Sequence, residues 1–234
     1  MGITPWENVD GIEVLKIIER EGRVCYKSEN KITSSSAIEF VRARIKEGHI
    51  ALLDGISITA NYISDRGFSH EYLRHKLTEI LPAGAVEPVD DWTPFSVSQE
   101  STRYCNYMKK GGVCFIIPPW IKNIPEGEYK ESELFPEVKN KLTKAENLWL
   151  DNRFNSEYTY FQLLKEGWTP EMSRGDLLIG VKTEFNVTCT LTEWRHVMKQ
   201  RSSKFAHPQM TELMRPQLED FKKTIPIIFD DITY

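Results

Sequence analysis

Apolar residues recur every three or four positions along much of this chain, which is the spacing of an amphipathic helix. Ile12, Leu15 and Ile18, for example, would lie on one helical face. Together with Ser, Thr, Pro and Gly at the segment ends, this spacing predicts helices over residues 12–21, from Ser34 or Ser35 to Gly48, 69–80, 136–165, from Thr169-Pro170 onward, 190–201 and 208–224.

Apolar residues alternate with serine, threonine and asparagine over residues 56–62, which predicts a half-buried β-strand. Shorter strands are predicted at residues 113–117 and 185–189, and the proline-rich, acidic stretch 81–94 is predicted to be a loop. Helices and strands are mixed without a βαβ rhythm. We therefore expect an α+β fold, with a central, mostly antiparallel sheet packed with helices in a single domain over residues 1–234.

The composition is that of a globular protein and argues against several other classes. The chain has 234 residues, of which 40% are hydrophobic and 27% charged, as in an ordinary globular domain. Its net charge of −4 gives no general attraction to nucleic acid or an anionic membrane, and no apolar run approaches the roughly 20 residues of a membrane helix. The four cysteines are scattered without a C-x-x-C pair, which favours reduced thiols in the cytoplasm over a disulfide framework or a metal site.

The segment Ser98–Tyr104 carries the clearest chemical signal. It reads S-Q-E-S-T-R-Y, so hydroxyl groups, an amide and a carboxylate stand beside Arg103. Hydroxyls and backbone N–H groups can position an anion while an arginine neutralises it, which predicts a phosphate cradle. A polar turn that ends at Tyr104 is the alternative interpretation.

Further basic residues also lie beside apolar ones. Arg74-His75-Lys76 stands between two leucines with Glu71 one turn before it, so this segment is either an anion site or a surface salt-bridge cluster. Arg174 precedes a Leu-Leu pair. Arg201 would extend an apolar helical stripe, which is also the pattern of an arginine that snorkels or binds the last helical carbonyls. We expect these basic residues, which come from distant parts of the chain, to meet in the fold. Such a cluster would form a pocket for a phosphorylated ligand.

Taken in order along the chain, these segments resemble those of the flavin-dependent thymidylate synthases, the ThyX family. The likeness covers about residues 22–229 and rests on several short motifs. They are Arg23-Val24-Cys25-Tyr26, Gly48-His49, Arg74-His75-Lys76 for the family's R-H-R signature, Ser101-x-Arg103-Tyr104 for its S-x-R-Y, Arg174, and a closing segment from Thr192-Glu193-Trp194 through His196 and Arg201 to His207 and Gln209.

The resemblance implies a cytoplasmic enzyme that converts dUMP to dTMP, with FAD as cofactor, methylenetetrahydrofolate as carbon donor and NADPH as reductant. It implies a homotetramer with FAD at the subunit interfaces, without metal, nucleic acid or membrane as partner. The implied dUMP-binding residues are Glu71, Arg74, Gln99, Glu100, Ser101, Arg103, Arg174 and Arg201, with Gln99 and Glu100 as alternatives for one contact. Arg201 is also the implied catalytic residue, because it would stabilise charge on the uracil. The implied FAD contacts are Cys25, His49, Arg74, His75, Lys76, Thr190, His196 and His207.

Departures from the family pattern keep two alternatives open. An insertion at about residues 81–95 separates the R-H-R-like segment from the serine, and it leaves open a dUMP hydroxymethylase on the same scaffold. Lys76, Thr190 and Thr192 stand where the family uses other residues at phosphate or flavin. These replacements leave open a non-catalytic nucleotide-binding protein.

Overall fold

The structure, a computed structural model, describes residues 5–78, 95–128 and 139–234, and for residues 75–78 it describes the backbone alone. Within these residues the fold is α+β, as predicted. The helices are α1 (Gly11–Tyr26), α2 (Ser36–Lys46), α3 (Arg66–Thr78), α4 (Lys144–Lys165), α5 (Pro170–Ser173), α6 (Leu191–Arg201) and α7 (Pro208–Thr224). The strands are β1 (Ser57–Asp65), β2 (Phe95–Gln99) and β3 (Lys182–Thr190). The predicted inserted loop lies outside the described residues, except that Phe95 begins β2.

The described strands form one antiparallel sheet in the order β1-β3-β2. Leu191 N–H donates to Ile56 O (2.9 Å) beyond one end of the β1–β3 pair, and Arg66 N–H donates to Val181 O (3.2 Å) beyond the other. The start of β1 therefore faces the end of β3, which is the antiparallel register. Burial alternates along most of β1, which confirms the prediction of a half-buried strand.

The chain divides into two compact units. The first unit comprises Met1–Ala60, His75–Ser96 and Val187–Tyr234, and the second comprises Asn61–Arg74 and Val97–Asn186. Each of the described strands contributes residues to both units.

In the first unit, α1 packs on α2 and α6 packs on α7. The Asp10 carboxylate caps α1 by accepting hydrogen bonds from Ile12 N (2.9 Å) and Glu13 N (3.2 Å). The prediction that this helix ends near Gly22 is wrong. Gly22 lies inside α1, and a Cβ there would come within 2.9 Å of Phe40, so the glycine permits the close packing of α1 on α2.

The other helix ends of the first unit agree with the sequence. Ser35 is the N-cap of α2, and Gly48 has a φ of +81° just after that helix. The Thr190 hydroxyl caps α6, and α7 runs from Pro208 to Thr224 as predicted.

In the second unit, aromatic side chains from β1, α3 and β3 form one cluster, with neighbouring ring centroids 5.2–6.1 Å apart: Tyr62, Phe68, Tyr72 and Phe185. The prediction that the third helix begins at Ser69 is wrong, because α3 begins at Arg66. The Asp65 carboxylate accepts a hydrogen bond from Phe68 N–H (2.7 Å) and so caps the helix one turn earlier.

Two further predictions for the second unit are wrong. Helix α4 begins at Lys144 and not at residue 136, because Thr143 and Glu146 form a reciprocal capping box there. Residues 113–117 are not a strand, and only Phe115 pairs with Val181 in an isolated antiparallel bridge. The prolines that follow, at 118 and 119, lack the N–H groups that a longer ladder would need.

Within the described ranges, no helix combines the length and apolar character that crossing a membrane would require.

Candidate active site

The two units divide the predicted site residues between them. The second unit holds most of the residues predicted to bind the nucleotide: Glu71, Arg74, Gln99, Glu100, Ser101, Arg103 and Arg174. The first unit holds Arg201 and most of the described residues predicted to contact the cofactor: Cys25, His49, Thr190, His196 and His207. Arg74, predicted to contact both ligands, lies in the second unit. The side chains of His75 and Lys76 lie outside the described residues.

Gln99 ends β2 and is held by hydrogen bonds inside the second unit. Its side-chain amide donates to Ser69 Oγ (2.7 Å) and to Thr183 Oγ1 (3.1 Å). Ser69 and Thr183 are fully buried. The amide nitrogen of Gln99 is therefore committed to the protein interior.

Glu100 follows β2 with a largely buried side chain. Its backbone N–H donates to Glu184 O (2.8 Å), and Arg66 Nη2 donates to its carbonyl oxygen (2.6 Å). Its carboxylate oxygen Oε2 is buried without a hydrogen-bond donor among the described residues, and Lys182 Nζ lies 3.9 Å from it. Burial, and then the negative charge of Glu100, raises the pKa of Tyr107, so the phenol stays protonated near this carboxylate. The Glu100 carboxylate is thus a buried acceptor, and the protonated Tyr107 hydroxyl is a nearby group of the protein that can donate to it.

Ser101 lies at the start of a tight turn. Its carbonyl oxygen accepts hydrogen bonds from Cys105 N (3.0 Å) and Tyr104 N (3.3 Å), and its Oγ accepts one from Arg103 N (3.2 Å). Because the hydroxyl accepts from the backbone, its own proton can be donated to an anion. The turn therefore holds the hydroxyl against the backbone N–H of Arg103, which leaves the hydroxyl proton as the donor that Ser101 can offer to an anion.

Arg103 already has an anionic partner in the second unit. Its Nε lies 3.1 Å from Glu171 Oε2, and its guanidinium lies 5.4 Å from the centre of the Tyr104 ring. The side chains of Arg103 and Glu171 are 52% and 49% exposed, so a dissolved anion can reach the pair. Arg174 follows Glu171 by three residues and is exposed. The Glu171 carboxylate therefore competes with a phosphate for the charge of the Arg103 guanidinium.

Glu71 and Arg74 lie one turn apart on α3. Glu71 is half-buried and Arg74 is exposed. At this spacing the two side chains lie on neighbouring positions of the helix surface, where their opposite charges attract.

His49 is held by the last residue of α1. Tyr26 OH and His49 Nδ1 are 2.7 Å apart, and the two rings are tilted by 18°. Cys25, which precedes Tyr26, is exposed. One ring nitrogen of His49 is thus engaged inside the first unit.

Thr190 has a structural task as the N-cap of α6. Its hydroxyl accepts a hydrogen bond from Glu193 N (3.3 Å) and donates one to Asp54 Oδ1 (3.2 Å). The neighbouring Thr192 hydroxyl donates to Ile50 O (3.0 Å). The hydroxyls of Thr190 and Thr192 are therefore both used within the protein.

Arg201 is the last residue of α6 and is half-buried. The helix is fixed by Trp194, Val197 and Met198, which are fully buried, as the apolar stripe predicts. His196 is exposed, and its Nε2 lies 3.0 Å from Gln200 Nε2. His207 is exposed at the N-cap position of α7.

No metal centre is visible in the part of the chain that the structure describes, because it holds no group of three or more His, Cys, Asp or Glu side chains placed to bind an ion.

Two residues of these clusters were not expected from the sequence: Tyr107 and Glu171. Glu171 gave only the signal of an acidic residue in a first helical turn, and Tyr107 gave none. Tyr26 was predicted as part of the R-V-C-Y motif, but its contact with His49 was not predicted.

Comparison with known proteins gives the relatives of this chain. The family described as thymidylate synthase complementing protein (Thy1) matches residues 12–227. Two crystal structures of the flavin-dependent thymidylate synthase ThyX from Helicobacter pylori, both with FAD and dUMP, share the fold. One has a TM-score of 0.67 at 16% identity and covers 94% of this chain and 95% of its own. The other has a TM-score of 0.64 at 15% identity and covers 92% of this chain and 94% of its own. A search of curated proteins gave no match.

Proposed function

This chain belongs to the family of thymidylate synthase complementing proteins, and on that premise we propose that it is an FAD-dependent thymidylate synthase that converts dUMP to dTMP. The observation that carries the proposal is the family match over residues 12–227, because it spans every predicted site residue. The fold shared with the Helicobacter pylori enzyme supports it.

Most of the proposed nucleotide-binding residues belong to the second unit, and Arg201 belongs to the first. We assign the phosphate to the turn at Ser101, where the hydroxyl proton is available and Arg103 carries a guanidinium, and we assign added positive charge to the exposed Arg74 and Arg174. Arginine suits a phosphate because the planar guanidinium can donate two parallel hydrogen bonds. Glu100 is the better candidate than Gln99 for a side-chain contact, because the Gln99 amide nitrogen is already bound to Ser69 and Thr183.

Arg201 is the proposed catalytic residue. The buried apolar face of α6 fixes the helix that carries it, and thus the backbone from which the guanidinium extends. A cation held in this way stabilises negative charge that develops on the uracil as its C5 becomes nucleophilic. Arg201 is therefore assigned to the uracil and Arg103 to the phosphate.

The donor groups of the first unit fit FAD. His49, His196 and His207 are exposed, and imidazole N–H groups can donate to the phosphates or the ring of this cofactor. Thr190 fits less well, because its hydroxyl is bound to Asp54 and Glu193 N, and we leave it as a helix cap. Bound FAD would supply reducing equivalents from NADPH, and methylenetetrahydrofolate would supply the carbon.

The remaining parts of the proposal follow the family resemblance. The enzyme is a cytoplasmic homotetramer with FAD at its subunit interfaces, and each subunit is one catalytic domain with an insertion at about residues 81–95.

An absorption spectrum of the purified protein tests the cofactor, and titration with dUMP tests the substrate. We expect a yellow protein, or one that takes up added FAD, and saturable binding of dUMP. A protein that binds neither FAD nor dUMP would refute the proposal. Binding of dUMP without FAD would favour the non-catalytic alternative. The observation in favour of that alternative is that the hydroxyls of Thr190 and Thr192 already donate hydrogen bonds within the protein.

A further inference from the structure

We propose that Tyr26 is a positioning residue for His49. Its hydroxyl donates a hydrogen bond to Nδ1 and thereby leaves Nε2–H as the donor that the imidazole offers to a ligand. The inference deepens the proposed function and rests on it, because His49 is one of the residues proposed to contact FAD.

The geometry favours a direct tyrosine–histidine hydrogen bond. The hydroxyl oxygen and Nδ1 are 2.7 Å apart, and the planes of the two rings differ by 18°. A neutral imidazole has one N–H group and one nitrogen lone pair. When the phenol donates to the lone pair of Nδ1, the ring proton is on Nε2, and the orientation of the ring is fixed by the last residue of α1.

Glu47 is the group that would favour the opposite tautomer. Its Oε2 lies 3.8 Å from His49 Nδ1, so a proton on Nδ1 would attract it. Arg44 weakens this competition, because its Nη2 lies 2.6 Å from Glu47 Oε1. The same guanidinium lies 5.1 Å from the centre of the Tyr26 ring and packs against it. Arg44 therefore holds both the tyrosine ring and the competing carboxylate.

The His49 ring remains accessible in this arrangement. Its side chain is 52% exposed, although Nδ1 is engaged by Tyr26. A fixed Nε2–H donor fits an acceptor atom, such as a phosphate oxygen or a ring carbonyl of FAD. Tyr26 would thus lower the cost of binding by ordering the donor before the ligand arrives.

The first test is the ¹⁵N NMR spectrum of the His49 ring in flavin-free protein at pH 8.5, where neutral imidazoles dominate. The Tyr26→Phe variant removes the hydroxyl and keeps the aromatic ring. We expect the wild-type spectrum to show a protonated Nε2 and a hydrogen-bonded Nδ1, and the Nδ1 resonance to move in Y26F to the position of a free lone pair. Glu47→Gln should leave both resonances in place. Tyr158→Phe is the matched control, because Tyr158 is an exposed tyrosine (65%) on α4.

The second test is FAD affinity, for which loss of one hydrogen bond predicts roughly fivefold weaker binding in Y26F and no change in Y158F. If the wild type binds FAD and Y26F equals it in both measurements, the inference is overturned. It is also overturned if E47Q, and not Y26F, shifts the Nδ1 resonance. If the wild type binds no FAD, the proposed function fails, while the ring spectra still decide whether Tyr26 sets the tautomer.

Discussion

Replacement of Asp231 by asparagine should destabilise the first unit through a buried arginine of α6. The Asp231 carboxylate accepts two hydrogen bonds from Arg195, Nη1 to Oδ1 (2.7 Å) and Nη2 to Oδ2 (2.8 Å). Arg195 also donates to the backbone oxygen of Ile228. The Arg195 side chain is 5% exposed, whereas that of Asp231 is 50% exposed. The D231N substitution therefore leaves a buried guanidinium without the charge that neutralises it.

The size of the effect lies between two limits. Breaking a fully buried ion pair costs about 3–5 kcal/mol, and breaking an exposed pair costs about 0.2–1 kcal/mol. Because only the arginine is buried, we expect D231N to lower the free energy of unfolding by about 1–3 kcal/mol at pH 7. For a chain of 234 residues, each kcal/mol lowers Tm by roughly 2–4 °C.

The pH dependence has a definite sign. The hydrogen bonds from Arg195 lower the pKa of Asp231 in the folded protein. The stabilisation is therefore complete above the ordinary aspartate pKa of about 3.9 and is lost as the pH falls through the lowered value. The difference between wild type and D231N should be largest near neutrality and should disappear in acid.

Urea unfolding followed by circular dichroism at several pH values measures this difference. Asp230→Asn is the control, because Asp230 is the exposed neighbour of Asp231. The reasoning is refuted if D231N is as stable as the wild type at pH 7, or if D230N loses as much.

Three further predictions concern the nucleotide site and α4. Glu171→Gln should free Arg103 from an exposed ion pair worth about 0.2–1 kcal/mol and tighten dUMP binding up to about fivefold by calorimetry; weaker binding would contradict this competition. Arg103→Ala and Arg201→Ala should each weaken dUMP binding by about 2–5 kcal/mol and FAD binding far less, and equal losses for both ligands would contradict the assignment. Hydrogen bonds, first from Thr143, lower the pKa of Glu146 to about 2, so Glu146→Gln should destabilise the protein at pH 7 and progressively less as the pH falls toward 2. A stability difference that stays constant with pH would contradict that role for Glu146.

Much of the fold follows from local sequence. The helices α6 and α7 were predicted to within a residue or two, because a capping threonine and a first-turn proline mark their starts. Strand β1 follows from strict alternation. The wrong helix ends at Gly22 and Ser69 have a common cause. Gly22 packs closely against Phe40, and buried Ser69 accepts a hydrogen bond from Gln99. Both residue types are typical of helix ends, but at these positions they serve tertiary contacts.

The sequence predicted which residues belong to the candidate site, but not which other residues of the chain they contact. The order of the arginine-containing motifs located the nucleotide segment, yet nothing local pairs Arg103 with Glu171. Periodicity also could not show that the Thr190 hydroxyl is bound to Asp54, because the two residues are far apart in the chain. Such partners depend on which distant backbones the fold brings together.

The most direct test of the central claim is mass spectrometry of the nucleotide product. The protein, loaded with FAD, is incubated with dUMP, methylenetetrahydrofolate and NADPH. We predict dTMP, whose formation requires FAD and is lost in Arg201→Ala. Unchanged dUMP from flavin-loaded protein, or a hydroxymethylated nucleotide in place of dTMP, would contradict the account.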